Sequence, residues 1–495
     1  MDDNLGFYFS HTAYRVPERT AIVDLWGGQR RAIKYNELES RTDGAGALLQ
    51  ALGARQNERI ALLVGNRVEY IEAFFGAMRA GLVPVPLNQR QSEANLEFML
   101  RDSGAAGVVL DPEACPAGRA IAERIGLRMR VMLDDSAPGW TRYAPAATRL
   151  VPRTSTDGIA FQPYTAGSTG KPKGARLTHA GMLWSIRTTE ARWPTPPDDV
   201  GLVAVPLFHK NAMRGTIKPN LVAGARAVLM PRYEPRAFLE ALSRERVTFC
   251  GGVPAIFSMI LQHEDLIRTL DFSALKVFYL GSAVVPPELI DNLERLFPQV
   301  KIKESYGLTE AGGPLRSPTD GRATPRGSAG VAGDGYEVKL VDGELWTRSP
   351  CVTAGYHNRP DLSAERIVDG WLRTGDLFRV DAQGFYYFLG RTDDMFSCGG
   401  ENIYPREVES LLLQHAEVTD ACVVPIAHEV KGLAPAAMVV VKPGATIDAE
   451  ALKAYTLAHG PAYAHPRRLL VVPEIPLTGA GKPDRPRIRS MLEAL

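Results

Sequence analysis

The chain has 495 residues but only five cysteines, scattered at Cys115, Cys250, Cys351, Cys398 and Cys422. An odd number without C-x-x-C spacing excludes a disulfide framework or a thiolate zinc site, and the thiols read as reduced, as in the cytoplasm. No apolar run approaches the roughly eighteen residues of a membrane-spanning helix. The opening stretch "MDDNLGFYFSHTAYRVPERT" is acidic and has no basic segment leading into an apolar one. No secretory leader is expected, and the reading is cytoplasmic. Excess charge is missing as well: Lys plus Arg number 57, Asp plus Glu 56, for a formal net charge of +1. Bulk capture of nucleic acid or an anionic membrane therefore has no basis. Internal repeats and low-complexity tracts are also absent. What is present is a globular composition, 45% hydrophobic and 23% charged, in a chain long enough for more than one domain.

The recurring theme is a short apolar or β-branched run followed by an amphipathic helix. "RIALLVG" (59–65) reads as a buried strand, and "EYIEAFFGAMRAG" (69–81) as a helix with Ile71, Phe74, Phe75 and Met78 at helical spacing and Gly81 as its stop. The alternation returns at "VGLVAVPLF", "ARAVLMP", "VTFCGGVP" and "LKVFYLGSA", the last followed by the helix "PPELIDNLERLF". Such alternation predicts α/β layers, a large N-terminal domain of sheets and helices. From about residue 330 the texture shifts to short strands and turns. Beyond "GRTDDMFSCGGEN" a small α+β domain is expected, with a helix at "YPREVESLLLQ" (Val408, Leu411 and Leu412 inward) and strands at "ACVVPI" and "AAMVVVKP". The boundary is placed so that 1–392 and 393–495 form the two domains.

One stretch, "YTAGSTGKPKG" (164–174), concentrates glycine, hydroxyl and lysine. It is not the P-loop pattern: Gly167 and Gly170 are too close, and Pro172 follows Lys171 where a hydroxyl and a continuing helix are needed. Its ingredients still suit a triphosphate. Glycines admit backbone N–H groups to phosphate oxygens, and hydroxyls and ammonium groups add donors and charge. By composition alone it is equally a solvated loop.

Further motifs follow in order: "PLFH" (206–209), "YGLTEAGG" (306–313), "WLRTGDL" (371–377), "GR" (390–391), "GGENIYPREVE" (399–409) and "TGAGKPDR" (478–485). Together with 164–174 the set resembles the adenylate-forming superfamily, which includes acyl-CoA synthetases, peptide-synthetase adenylation domains and firefly-type luciferases. The resemblance covers essentially the whole chain. It implies a large N-terminal domain and a small mobile C-terminal lid. The implied reaction has two halves: a carboxylate and ATP give an acyl-adenylate and pyrophosphate, then the thiol of coenzyme A displaces AMP.

The resemblance also implies roles. Thr165, Ser168, Thr169, Gly170, Lys171 and Lys173 hold the β- and γ-phosphates of ATP. Tyr306 stacks on adenine beside Gly307, Thr309 contacts the α-phosphate, and Glu310 holds Mg²⁺. Asp376 takes the ribose hydroxyls, since a carboxylate has two oxygens for two vicinal donors, with Arg391 assisting. Lys482 bridges substrate carboxylate and α-phosphate in one domain orientation only. Asp393 is the hinge, and Gly399 and Gly400 leave room for the pantetheine arm of coenzyme A. Each has a plainer reading by itself: Thr309 and Glu310 as a helix cap, Asp376 as a turn residue, Lys482 as a solvated lysine.

His209 is counted with the catalytic candidates, although a pocket-wall or gating role is favoured over that of a general base. With it, Lys210, Asn211, Gly252, Val253, Gly281, Ser282, Ala283 and Gly312 are expected to build the acyl pocket. Amino-acid-activating relatives carry an aspartate near this point, whereas His209 and Lys210 would repel a substrate ammonium. Lys210 and Asn211 are polar for a fatty-acyl tunnel, because burying them unpaired is costly. A short or hydroxylated carboxylate is expected, with an aryl acid as alternative. Loading of a carrier protein and a non-catalytic nucleotide-binding role are the other readings. The chain departs from the pattern at Ala464, where relatives often have lysine. A monomer or homodimer is expected, with no nucleic-acid or membrane partner.

Overall fold

The apolar runs of the α/β region become largely buried strands, although Val277–Gly281 is buried on one face only. Val200–Val203, Arg226–Leu229, Phe249–Gly252 and Val277–Gly281 pair in parallel, as expected of near-continuous hydrophobic strands covered by helices. The computed structural model describes residues 3–133, 150–155, 157–165, 171–192, 194–283, 285–392, 394–398, 401–445, 447–462, 464–478 and 483–495. These divide into two compact units. One comprises Met1–Thr324, Gly330–Glu337 and Thr347–Leu372, and the other Pro325–Ala329, Val338–Trp346 and Arg373–Leu495.

In the first unit the four parallel strands are the middle of a sheet of nine among the described residues. Thr20–Asp24 continues it in parallel beside Arg226–Leu229, and Lys301–Leu308 beside Val277–Gly281. Antiparallel strands close both ends: Arg31–Lys34 at one, Gly312–Arg316 and Val331–Ala332 at the other. A second sheet sets Val83–Pro86, Arg59–Leu63, Ala105–Leu110 and Met129–Met132 in parallel. The expected helix is Val68–Arg79, buried along its whole length, which is why its sequence is apolar on nearly every side. Gly81 ends it at φ 74°, a conformation glycine adopts without a Cβ clash. At Gly76 a Cβ would lie 2.6 Å from the carbonyl of Thr42 and 2.8 Å from the amide of Gly46. Glycine thus lets the helices Tyr35–Ala51 and Val68–Arg79 meet backbone to backbone. The fully buried Arg79 is compensated: it donates to the carbonyl of Gly6 at 2.7 Å and pairs with Glu39 at 2.7 Å and Asp43 at 2.8 Å.

The second unit contains the segment expected as a small α+β domain, 393–495, together with Pro325–Ala329, Val338–Trp346 and the chain from Arg373 up to that segment. A long hairpin of Val418–His428 and Gly432–Val441 is extended along the free edge of Gly432–Val441, by Phe396–Cys398 at Gly432 and by the parallel strand Arg468–Val471 at Ala436–Val439. Period-two alternation divides the hairpin between two cores. Ala421 and Val423 pack with Val408 and Leu412 of the helix Pro405–Leu412 and with Leu452 of the helix Ala449–His459. Cys422, Val424 and Ile426 pack with Ile488 and Leu492 of the helix Arg485–Glu493. Leu411, expected inward, is only half-buried, because Val408 and Leu412 already fill the four-residue stripe that faces the sheet. The architecture is a large N-terminal α/β region of two sheets followed by a small C-terminal α+β region.

Candidate active site

Two antiparallel strand pairs build the site in the first unit. Tyr164–Thr165 pairs with Lys173–Gly174, Thr165 opposite Lys173, so the residues on either side of the glycine-rich stretch are hydrogen-bonded neighbours. The expected phosphate contacts Ser168, Thr169 and Gly170 lie outside the described residues. So do Asp393, Gly399, Gly400 and Lys482. Lys173 is buried in this strand pair, with its ammonium 5.5 Å from the ring centre of Tyr356. Lys171 is exposed, and its ammonium lies 5.6 Å from the ring of Phe98.

In the second pair a turn joins Lys301–Leu308 to Gly312–Arg316, with Leu308 opposite Gly312. Thr309 and Glu310 are therefore at a β-turn and not at a helix start, so the capping role is removed. Glu310 Oε1 accepts hydrogen bonds from Thr165 Oγ1 and from the Tyr356 hydroxyl, each at 3.2 Å. The backbone of Glu310 is held too, its carbonyl accepting from the amide of Thr353 at 2.6 Å. Sequence motif and tertiary contact thus meet at one carboxylate between two hydroxyl donors. Tyr356 and Thr353 were not foreseen; they are 46 and 43 residues beyond Glu310 by number, and only chain folding brings them back. Gly312 takes φ 77°. Gly307 is required for a second reason, since a Cβ there would lie 2.5 Å from the Gly312 carbonyl.

Along the carboxyl ends of the parallel strands lie Gly252, Val253, Gly281, Ser282 and Ala283, the usual place for ligands in open α/β sheets. Ser282 is held at φ 65°. His209 caps the short helix that follows, its Nδ1 accepting from the amide of Asn211 at 3.3 Å. Lys210 reaches the turn between Leu308 and Gly312 and donates to the carbonyls of Leu308 and, at 3.2 Å, Gly312. Burial pushes its pKa down to about 7, with the nearby Arg214 adding repulsion. Lys210 and Gly312 line a cavity whose other walls come from Met182 to Glu190 and from Arg214 to Pro219.

The second unit carries its own polar constellation. Asp376 and Arg391 face each other in register on Trp371–Val380 and Tyr386–Arg391, joined at 2.7 Å. The Asp376 amide donates to Thr374 Oγ1 at 3.1 Å. Gly375, at φ 74°, donates its N–H to Glu344 at 2.8 Å, and Arg373 approaches the same carboxylate at 3.4 Å. Glu344 therefore orients the turn that carries Asp376. The segment "DGELW" gave no sign of this, because a strand glutamate resembles any solvated one.

The profile of the AMP-binding enzyme family matches residues 9–357, and that of the AMP-binding enzyme C-terminal domain matches residues 407–482. A feruloyl-CoA synthase of Amycolatopsis sp. is 33% identical over 494 residues, covering 97% of each chain. An indoleacetate–CoA ligase of Aromatoleum aromaticum is 30% identical over 510 residues, covering 99% of this chain and 97% of the other. Among solved structures, ATP-bound MatB from Rhodopseudomonas palustris superposes with a TM-score of 0.88 at 25% identity, over 100% of this chain and 99% of that one. Full-length coverage, the ordered motifs and the Thr165–Glu310–Tyr356 cluster lead to one conclusion: the chain belongs to the AMP-binding, adenylate-forming family and is an acid–thiol ligase of the CoA-ligase type.

Proposed function

We propose that the protein is an AMP-forming acyl-CoA synthetase. It converts a carboxylic acid, ATP and coenzyme A to acyl-CoA, AMP and pyrophosphate through an acyl-adenylate. The observation that carries the reading is Glu310, fixed in the hairpin turn by Thr165 and Tyr356. Adenylate transfer depends on positioning and charge neutralisation more than on covalent help. Thr165, Lys171 and Lys173, with Ser168, Thr169 and Gly170 between them in sequence, would take the β- and γ-phosphates. Thr309 would donate to the α-phosphate, Tyr306 and Gly307 would flank the adenine, and Asp376 with Arg391 would hold the ribose.

A magnesium ion fits Glu310. One of its oxygens accepts both hydroxyls, and the other takes no hydrogen bond from a described residue. Magnesium is commonly held by one or two carboxylates together with substrate phosphates. When bound there, the ion would neutralise phosphate charge. Lys482 would supply the cation for the attacked α-phosphate, and movement at Asp393 would then exchange it for the Gly399–Gly400 segment and coenzyme A.

The acid is read as short and polar at its far end, because the cavity beside Gly312, walled in part by Met182, Ile186 and Pro219, carries Ser185, Thr189 and basic side chains. An aryl acid is the second reading, supported by the feruloyl-CoA and indoleacetate relatives. The test is pyrophosphate release across a panel of carboxylates, with and without coenzyme A. Acid-dependent release followed by thioester formation is expected. No release with any acid would overturn the enzymatic reading, and adenylate that reacts only with a carrier-bound phosphopantetheine would exclude free coenzyme A.

A further inference from the structure

The chain from Lys210 to Ala223 is helical throughout, running from a short α-helical turn through a π-helical turn at Met213–Ile217 into Lys218–Ala223. Lys210, Arg214 and Lys218 follow each other at four-residue intervals and all three line one narrow cavity. Its opposite wall is the helix His179–Arg192, which contributes Met182, Ser185, Thr189 and the one carboxylate, Glu190. Lys218 is 4% exposed, and its ammonium has the face of Phe161 at 5.2 Å as its partner. Arg214 Nε is buried and makes no hydrogen bond. Among the described residues none of the three cations forms an ion pair. Glu190 does not neutralise them: its carboxylate accepts from the Thr195 amide and hydroxyl at 3.2 and 3.1 Å.

One buried and two partly buried cations against one carboxylate engaged elsewhere is an arrangement a fold does not keep for stability, since an unpaired buried charge is destabilising. The cavity also adjoins the reactive turn, because Lys210 donates to the carbonyls that flank Thr309 and Glu310. We propose that this cavity receives a second anionic group on the acid substrate, so that the protein activates one carboxylate of a dianionic acid while Arg214 and Lys218 bind the other end. The inference rests on the acyl-CoA synthetase reading and narrows its substrate class. Burial lowers the pKa of both Lys210 and Lys218 to about 7, with Arg214 the next contribution in each case. A bound anion would restore the protonated form of both.

The experiment compares matched acids in pyrophosphate release with coenzyme A present: glutarate with pentanoate, adipate with hexanoate, and 4-carboxycinnamate with cinnamate. At least one dianion is expected to exceed its monoacid partner by about tenfold or more in kcat/KM. Arg214→Met and Lys218→Met should each bring that ratio down by about tenfold, with the loss in the acid's kcat/KM and not in the KM for ATP. A ligand-binding arm guards against misfolding: the preferred dianion should raise the Tm of the wild type in the presence of AMP, and fail to raise that of Lys218→Met. Turnover of monoacids with no dianion preference overturns the inference and leaves the synthetase reading standing. A raised KM for ATP with an unmoved acid ratio assigns the cations to the nucleotide phosphates and overturns it too. If no acid supports release, the synthetase reading fails and the inference fails with it.

Discussion

Lys210 and Lys218 set a pH dependence that belongs to single residues. Each titrates at about 7 in the fold against an ordinary 10.5. Between those values the unfolded chain binds more protons than the folded one, so stability rises with pH across that window. Below about 7 both states are protonated, and the full penalty of the buried charges is present. The groups acting on Lys218 are Arg214 and Cys351, and Lys210 is acted on by Arg214, Cys351, Glu310 and Lys218. In the absence of ligand, Lys218→Met is therefore expected to raise Tm most below pH 7, with the advantage shrinking toward pH 9. A Tm difference independent of pH would mean that Lys218 is not charged when buried. At this scale the motif made Glu310 legible, yet not its partners. Tyr356 is a tyrosine among 16, and nothing local distinguishes it.

At the scale of elements, the hairpin through Tyr306–Gly313 holds the most function in the fewest residues. Its turn needs φ 77° at Gly312, where a Cβ would lie 2.5 Å from the Tyr336 hydroxyl and 2.9 Å from Cys351 Sγ. Both strain and contact oppose a side chain there. Gly312→Ala is expected to displace the turn that carries Glu310, reducing acid-dependent pyrophosphate release by roughly 10²-fold, the scale of losing one preorganised electrostatic contact. Its denaturation midpoint should fall as well. Wild-type pyrophosphate release from this variant would show that the turn adapts and that its geometry is not critical. The helix Lys210–Ala223 illustrates the opposite limit of sequence reading. Gly215 and Pro219 interrupt the propensity pattern, so the basic residues at four-residue spacing acquire a common face only once packing has imposed the helix.

At the scale of the whole molecule, the prediction concerns division of labour between the half-reactions. Lys482 is expected to act while the α-phosphate is attacked, and Asp393 to be the pivot that later removes it. Lys482→Ala should lose adenylate formation by about 10²–10³-fold, equivalent to ~3–4 kcal/mol, yet still turn supplied acyl-adenylate and coenzyme A into thioester. Asp393→Pro restricts φ to near −65° and should release one equivalent of pyrophosphate and then stall. Single-turnover assays of each half-reaction check both, and equal loss of both halves in both variants would end the two-orientation mechanism for this chain. The sequence by itself determined the layered fold and the reaction class, because hydrophobic period and glycine-bearing motifs are local properties written along the chain. Tertiary structure alone decided which hydroxyls hold Glu310, that Glu344 supports the turn of Asp376, and that three lysine and arginine side chains share one cavity. Those facts depend on residues distant in sequence meeting in space, and on burial, which turns an ordinary solvated cation into one that requires an anion.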